Sequence, residues 1–285
     1  MQATISKLHV YPVKSMQGIE VSEITCWETG VEFDREWVVI DDKNLFVTQR
    51  QLPRLAAITV TLSSEHLILS HPDHEPLSIP LSRDHLNESD IITFTIWKDQ
   101  AQGINEGDIA SQWLKEVLGA YRGGNLRLLR FSLDYRRAVH EKYSTHPTAH
   151  LKFADACPYL IVNSASLEAL NAVLRDNQHE PVTLDRFRGN IEVESETPWV
   201  EYQGNTIEIN DVTLKGVGPC MRCPMIGMDQ ETGEVIEPGQ PFKTLMEMPI
   251  PSDKDGAYFG MHASFLSGNG KRIKIGDKIN LITSK

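Results

Sequence analysis

Residues 8–27 read LHVYPVKSMQGIEVSEITCW. Two runs within them, Leu8–Val13 and Ile19–Trp27, are rich in β-branched residues, and a turn containing Gly18 separates them, which predicts two strands. The same texture continues outward through Glu36–Ile40, Ala57–Leu62 and Ile91–Lys98, with Gly, Asp, Asn and Pro between the runs. His71–Pro80 (HPDHEPLSIP) is turn-rich and predicts a hairpin loop with an edge strand. Two stretches switch to helical periodicity. Asp108–Leu118 has Asp108 placed as N-cap, an apolar stripe of Ile109, Trp113, Leu114, Val117 and Leu118, and Gly119 as the stop. Ser164–Arg175 carries Leu167, Leu170 and Leu174 on one face. Further strands are expected at Asn190–Val193, Thr206–Ile209, Val212–Val217 and a closing pair near Arg272–Ile282, turning at Ile275–Lys278. Many short strands, few helices and no βαβ alternation predict a mainly β (α+β) protein built from barrels or sandwiches rather than a doubly wound sheet.

Length and charge narrow the function. At 285 residues the chain suits two domains, and the polar, basic, turn-like stretch Asp134–His150 marks a loose boundary. The chain carries 28 Lys+Arg against 39 Asp+Glu, a net charge of −11, with no basic stripe of the kind a nucleic-acid binder uses to neutralise phosphates. An anionic membrane surface would repel it too, and no apolar run approaches the roughly 20 residues that span a bilayer. The N-terminal residues have no apolar stretch of the secretory type, so a cytoplasmic, reducing compartment is expected for the four cysteines, Cys26, Cys157, Cys220 and Cys223. Neither nucleic acid nor membrane is an expected partner. A phosphate-bearing ligand would have to be held by a few local Arg and Lys residues.

Four short constellations could carry chemistry. Cys220-Met221-Arg222-Cys223 admits a zinc site, a dithiol or plain apolar packing of both thiols. Zinc lacks a second ligand pair nearby, and the Gly-rich sequence after Pro224 does not sustain the helix a thioredoxin-like dithiol uses. Arg222 between the cysteines favours a thiolate, the form that ligates a soft metal. In Tyr11–Ser15 followed by Asp34-Arg35, an ammonium, a hydroxyl and a guanidinium could converge on a phosphate; the plainer alternative is an exposed lysine and a surface ion pair. In Asp185–Asn190, Arg186 and Arg188 share a face if the segment is extended, which suits a phosphate or a pterin-like ring, or merely a solvated strand face. In Phe153–Pro158, Asp155 could orient a cation, act as general acid or base, or cap a turn. No P-loop, dinucleotide fingerprint, nucleophile elbow or zincin motif is present.

Taken in order, these pieces resemble the MOSC family (molybdenum cofactor sulfurase C-terminal domain proteins), in particular the branch of the amidoxime-reducing components and bacterial N-hydroxylated-compound reductases. YPVKSMQGIEV, FDREWVVID and VTQRQLPRLAAI look like that branch's N-terminal β-barrel domain, and DACPYLIVNSASLEALN, RFRGNIEVE, NDVTLKGVGPCMRCPMIGMDQETG and IKIGD look like the MOSC domain. The resemblance implies an N-terminal β-barrel-like domain over residues 1–125 packed against a MOSC β barrel with a few helices over 126–285. It implies the molybdenum cofactor (Mo-molybdopterin), with Cys223 as the metal ligand and Cys220 an accessory thiol. Lys14, Ser15, Arg35, Ala156, Cys157, Arg188, Asn190 and Arg222 are the implied cofactor-binding residues, and Asp155 joins Cys223 as a candidate catalytic residue. The implied activity is reduction of small N-oxygenated (N-hydroxylated) compounds with electrons from a separate ferredoxin- or flavoprotein-type donor, since no cysteine cluster here could hold an iron–sulfur centre. The alternative is a non-catalytic carrier of the cofactor or of sulfur. The chain departs from its relatives at Ala156, Cys157 and Met221, where they often have Ser or Thr, at Ile226-Gly227, where they tend to have two Thr, and at Gly189, where they have Pro.

Overall fold

The computed structural model describes residues 2–146, 149–250 and 255–283. Seven strands close a barrel in the order Gln2–Val10, Ile191–Glu194, Tyr159–Asn163, Tyr258–Ser267, Val212–Met221, Thr206–Ile209, Lys278–Ile282 and back to Gln2–Val10. An odd number of strands cannot close with every neighbour antiparallel. The one parallel contact, Ile161 opposite Ile191, joins Tyr159–Asn163 to Ile191–Glu194, and the helix Ser164–Asp176 makes the crossover that a parallel pair requires. Asn163 caps that helix, its side chain accepting a hydrogen bond from the Ala165 amide.

The first strand explains its own pattern. Ala3, Ile5, Leu8 and Val10 are buried, so the inward parity changes between Ile5 and Leu8. The register against Ile191–Glu194 shifts at the same point, between Ile5 and Lys7, as a β-bulge does. These side chains enter the barrel core with Ile161, Ile191, Ile207, Leu214 and Ile279.

Around the barrel lie three smaller sheets. Trp37–Ile40, Arg127–Phe131, Asp99–Asn105 and Ile91–Ile96 form a four-stranded sheet. Thr59–Leu62, His66–His71 and His74–Pro80 form a meander whose last strand is an edge, as its prolines require. Glu23–Trp27 pairs with Gly30–Val31 and with Lys271–Lys274, tying the start of the chain to its end. The amphipathic helix Asp108–Leu118 covers the N-terminal core through Trp113, Leu114 and Val117, which pack with Trp37, Leu55 and Leu69. The observed fold is therefore mainly β, with three α-helices among the described residues.

Several local expectations change. The run 19–27 is two strands, Ile19–Val21 and Glu23–Trp27, which break at Ser22 and enter different sheets. Gly107, not Asp108, is the N-cap of the first helix, and no side chain caps it. The strand expected to end at Val217 runs on to Met221, so Cys220 sits at a strand end, with register shifts at Gly216–Gly218 and Pro219–Met221 where Gly and Pro interrupt the ladder. Arg186 is not in an extended segment. It lies in a 3-10 turn, Leu184–Phe187, and Arg188 follows in the left-handed region at φ 53°.

Candidate functional site

A cavity of about 330 Å³ opens between loops from the first half of the chain and the loops and strand ends of the second. Lys14, Ser15, Arg35, Asp155, Ala156, Cys157, Arg188, Asn190, Arg222 and Cys223 all line it, so the site residues that the resemblance implies lie at one place. Four wall residues that are not glycine, Ser15 (φ 72°), Arg35 (φ 44°), Trp97 (φ 56°) and Arg188 (φ 53°), hold left-handed backbone conformations. Such strain persists only where the surroundings enforce it, and it collects at binding sites.

Asp34 organises one wall. Its Oδ1 accepts hydrogen bonds from the Tyr11 amide (2.9 Å), the Asn190 amide side chain (3.0 Å) and Arg35, whose NH1 also reaches Oδ2 (2.7 Å to each oxygen). Asn190 also accepts from the Leu160 amide at 3.2 Å, so this buried residue is used up in holding the wall. The guanidinium carbons of Arg35 and Arg188 each lie 4.3 Å from the centre of the Tyr11 ring. Arg188 donates to Gln230 at 3.0 Å and has no carboxylate partner among the described residues. Burial brings its guanidinium down to about 10, which leaves it charged at neutral pH.

Lys14 forms the next wall. It is 6% exposed, against the expectation of a solvated lysine, and donates to the Phe153 carbonyl at 2.9 Å and to Asp155 at 2.5 Å. Trp97 donates its indole N–H to the same Asp155 oxygen at 2.8 Å. Burial lowers the Lys14 ammonium, and Asp155 works against that. Asp155 keeps 62% of its side chain exposed; desolvation by the groups around it would raise its carboxyl, but Lys14 and the two hydrogen bonds outweigh that and hold it well below the ordinary carboxylate range. It is therefore ionised at neutral pH.

Three thiols also line the cavity. Cys223 is half-buried where a 3-10 turn, Pro224–Gly227, begins, while Cys220 and Cys157 are buried. Arg222 donates to the Cys220 sulfur at 2.9 Å and to the Phe187 carbonyl at 2.8 Å. Burial alone would raise the Cys220 thiol, but Arg222 and His262 reverse the shift and bring it down to about 6. His262 in turn is raised well above the usual imidazole value by Cys220 and Cys157, despite its burial. All four cysteines are free.

The lining as a whole carries six Lys and Arg cations, Lys14, Arg35, Arg50, Arg186, Arg188 and Arg222, together with His262, against one carboxylate, Asp155, and the lowered Cys220 thiol. In a chain of net charge −11 this is a strong local inversion. Arg186 and Arg222 each keep a buried Nε without a hydrogen-bond partner. The donor set fits the group implied by the sequence resemblance: basic side chains for a phosphate and one accessible thiol for a heavy metal. Sequence reading missed Arg50, Trp97, Gln230 and His262. Arg50 lies inside the quoted stretch VTQRQLPRLAAI, but Trp97 read only as the end of a strand, and His262 stands in none of the quoted motifs.

Fold and site together define a β-barrel protein with a cationic, thiol-bearing pocket. The description "MOSC N-terminal beta barrel domain" matches residues 2–121 and "MOSC domain" matches residues 148–280. The mitochondrial amidoxime-reducing component 1 of Mus musculus is 30% identical to this chain, over 98% of it and 82% of the relative. That of Danio rerio is 31% identical, over 90% of this chain and 79% of the relative. The molybdenum cofactor sulfurase of Bombyx mori is 29% identical over 98% of this chain, which spans only 34% of that protein. The chain belongs to the MOSC family, with the N-terminal β-barrel domain preceding the MOSC domain. Among the described residues no helix is long and apolar enough to cross a membrane.

Proposed function

We propose that this chain is a molybdenum-cofactor-dependent reductase of N-oxygenated compounds that draws electrons from a separate donor protein. The observation that carries the reading is the six-cation pocket built around a half-buried thiol in an otherwise acidic protein. Bound there, the cofactor would supply two-electron redox chemistry, and the balance is one N–OH group, two electrons and two protons giving N–H and water. Lys14, Arg35 and Arg188 would hold the pterin phosphate, with the Ser15 hydroxyl beside them, and the Cys223 sulfur would be the protein's metal ligand. Arg222, with His262, keeps the neighbouring Cys220 as a thiolate. At Ala156 and Cys157, where relatives often have hydroxyls, only backbone groups and a buried thiol are left to meet the cofactor. Asn190 acts through Asp34 and Arg35 rather than by direct reach. Asp155 is a positioning residue: tied to Lys14 and Trp97 and already ionised, it aims the ammonium and has no proton to give at neutral pH.

The division at residues 1–125 and 126–285, the ferredoxin- or flavoprotein-type donor and a cytoplasmic location belong to the same proposal, the last resting on the four free cysteines. The match to a molybdenum cofactor sulfurase favours a second reading, a carrier of the cofactor or of sulfur on Cys223. Elemental analysis of wild type and Cys223→Ala is the first test: molybdenum in the wild type and a loss of at least tenfold in the variant are expected. Equal metal in both would remove Cys223 as the ligand. Reduction of benzamidoxime with an artificial electron donor is the second. A fully loaded protein that never turns over an amidoxime would favour the carrier.

A further inference from the structure

Arg50 stands apart from the other five cations of the pocket. Arg35 is matched by Asp34, Lys14 by Asp155, Arg186 by Asp229 at 3.7 Å, Arg222 by the Cys220 sulfur and the Phe187 carbonyl, and Arg188 by Gln230. Among the described residues the Arg50 guanidinium has no carboxylate, carbonyl or amide partner; it stacks on the Trp97 ring, with the guanidinium carbon 4.7 Å from the ring centre. Arg50 is also exposed, whereas Lys14 and Arg186 are buried and Arg35, Arg188 and Arg222 half-buried. The inner cations are thus placed for a resident anion, and the outer one for an anion that comes and goes.

The surface beneath Arg50 is fixed. Trp97 is 39% exposed, yet it is held by its hydrogen bond to Asp155, by the edge of Phe46 with ring centres 4.9 Å apart, and by its left-handed backbone. An arginine stacked on an aromatic ring keeps its in-plane N–H donors free while the ring limits its wandering. A rigid indole and a free guanidinium fork at the mouth, next to the Lys14–Asp155 pair that leads inward, form a two-part platform: a flat face for a planar group and a fork for a carboxylate or phosphate.

We infer that Arg50 and Trp97 select the substrate, favouring planar N-oxygenated compounds that carry an anionic group; this rests on the reductase reading above. The test compares benzamidoxime with 4-carboxybenzamidoxime on the molybdenum-loaded protein, by calorimetric binding and by turnover with an artificial donor. The wild type should bind the carboxylated compound more tightly. Arg50→Ala should lower the carboxylated-to-neutral ratio about tenfold in both affinity and kcat/KM, and Arg50→Lys, which keeps the charge but loses the fork, should fall between. Molybdenum content should be equal in wild type and Arg50→Ala. A wild type that binds the two compounds equally, a ratio that Arg50→Ala leaves in place, or a fall in the variant's molybdenum content, which would make Arg50 a cofactor residue, each overturns the inference. Binding selectivity that depends on Arg50 with no turnover of either compound would sink the reductase reading while leaving the anion platform standing.

Discussion

Glu36 has three cations around one buried carboxylate. Arg130 donates to it at 2.8 Å, Lys152 at 3.0 Å and Arg83 at 3.4 Å. Burial would raise its carboxyl from 4.5, but Lys152 and Arg130 outweigh that and hold it at about 2. A carboxyl lowered on folding stabilises the fold fully above its unfolded value near 4.5, and the contribution is lost as pH falls toward about 2. Glu36→Gln strands Arg130, which is 2% exposed, without its counter-charge, and should destabilise the protein at pH 7 by about 3–5 kcal/mol. Urea midpoints measured from pH 7 to pH 3 should fall more steeply in the wild type than in Glu36→Gln; parallel curves would show that the network titrates elsewhere. At this scale the sequence was legible where function leaves residue types in short motifs: Lys14-Ser15, Arg35, Arg188 and Arg222-Cys223 could be picked out and do line one pocket. Pairings made through space were not. Nothing local to Trp97 announces that its indole meets Asp155, 58 residues away, or that Arg50 stacks on it.

Periodicity reads elements well where one face is buried. The helix Asp108–Leu118 has the bounds its apolar stripe implies, because burial of Trp113, Leu114 and Val117 outweighs the missing side-chain cap. It reads them poorly where the chain must bend. The parity change at Ser6-Lys7 is a bulge, the break at Ser22 sends one apparent strand into two sheets, and Arg188 leaves the extended region altogether. The segment after Arg188 also shows how a departure from the relatives is absorbed. A Cβ placed on Gly189 would lie 2.7 Å from Val162 Cγ2 and 2.9 Å from Cγ1, so the barrel strand Tyr159–Asn163 has filled the space with a buried valine. Gly189→Ala should therefore overpack this contact and cost about 1–3 kcal/mol. Val162→Ala should relieve part of it, so that the double variant is more stable than the sum of the two single changes predicts. Thermal melts of the four proteins measure that coupling, and strict additivity would mean that the two positions do not compete for the same volume.

The closed barrel is where the two halves of the sequence become one object. Strand Gln2–Val10 comes from the first half, as does Ile19–Val21, which pairs with its end, but its neighbours in the ring, Ile191–Glu194 on one side and Lys278–Ile282 on the other, come from the second. No local pattern in residues 2–10 states that they close a ring whose other members begin at residue 159, which is why a barrel could be expected from many short strands but not its membership. The physical consequence concerns the second half alone. Residues 126–285 would lose Ile5, Leu8 and Val10 from the core, at about 1.5–3 kcal/mol each, and would expose two facing strand edges ready to pair with other chains. Glu23–Trp27, the partner of Lys271–Lys274, would go with them. Expressed alone, 126–285 should be aggregated or lack a cooperative thermal transition. A synthetic peptide of residues 1–27 should restore a monomeric barrel in trans by strand addition, with Leu8→Ala in the peptide weakening that rescue by about 2–5 kcal/mol. Size-exclusion chromatography and near-UV circular dichroism with and without the peptide decide it. A fragment that is monomeric and folds cooperatively unaided would mean that the barrel closes without its first strand, and that Gln2–Val10 merely docks on a ring already complete.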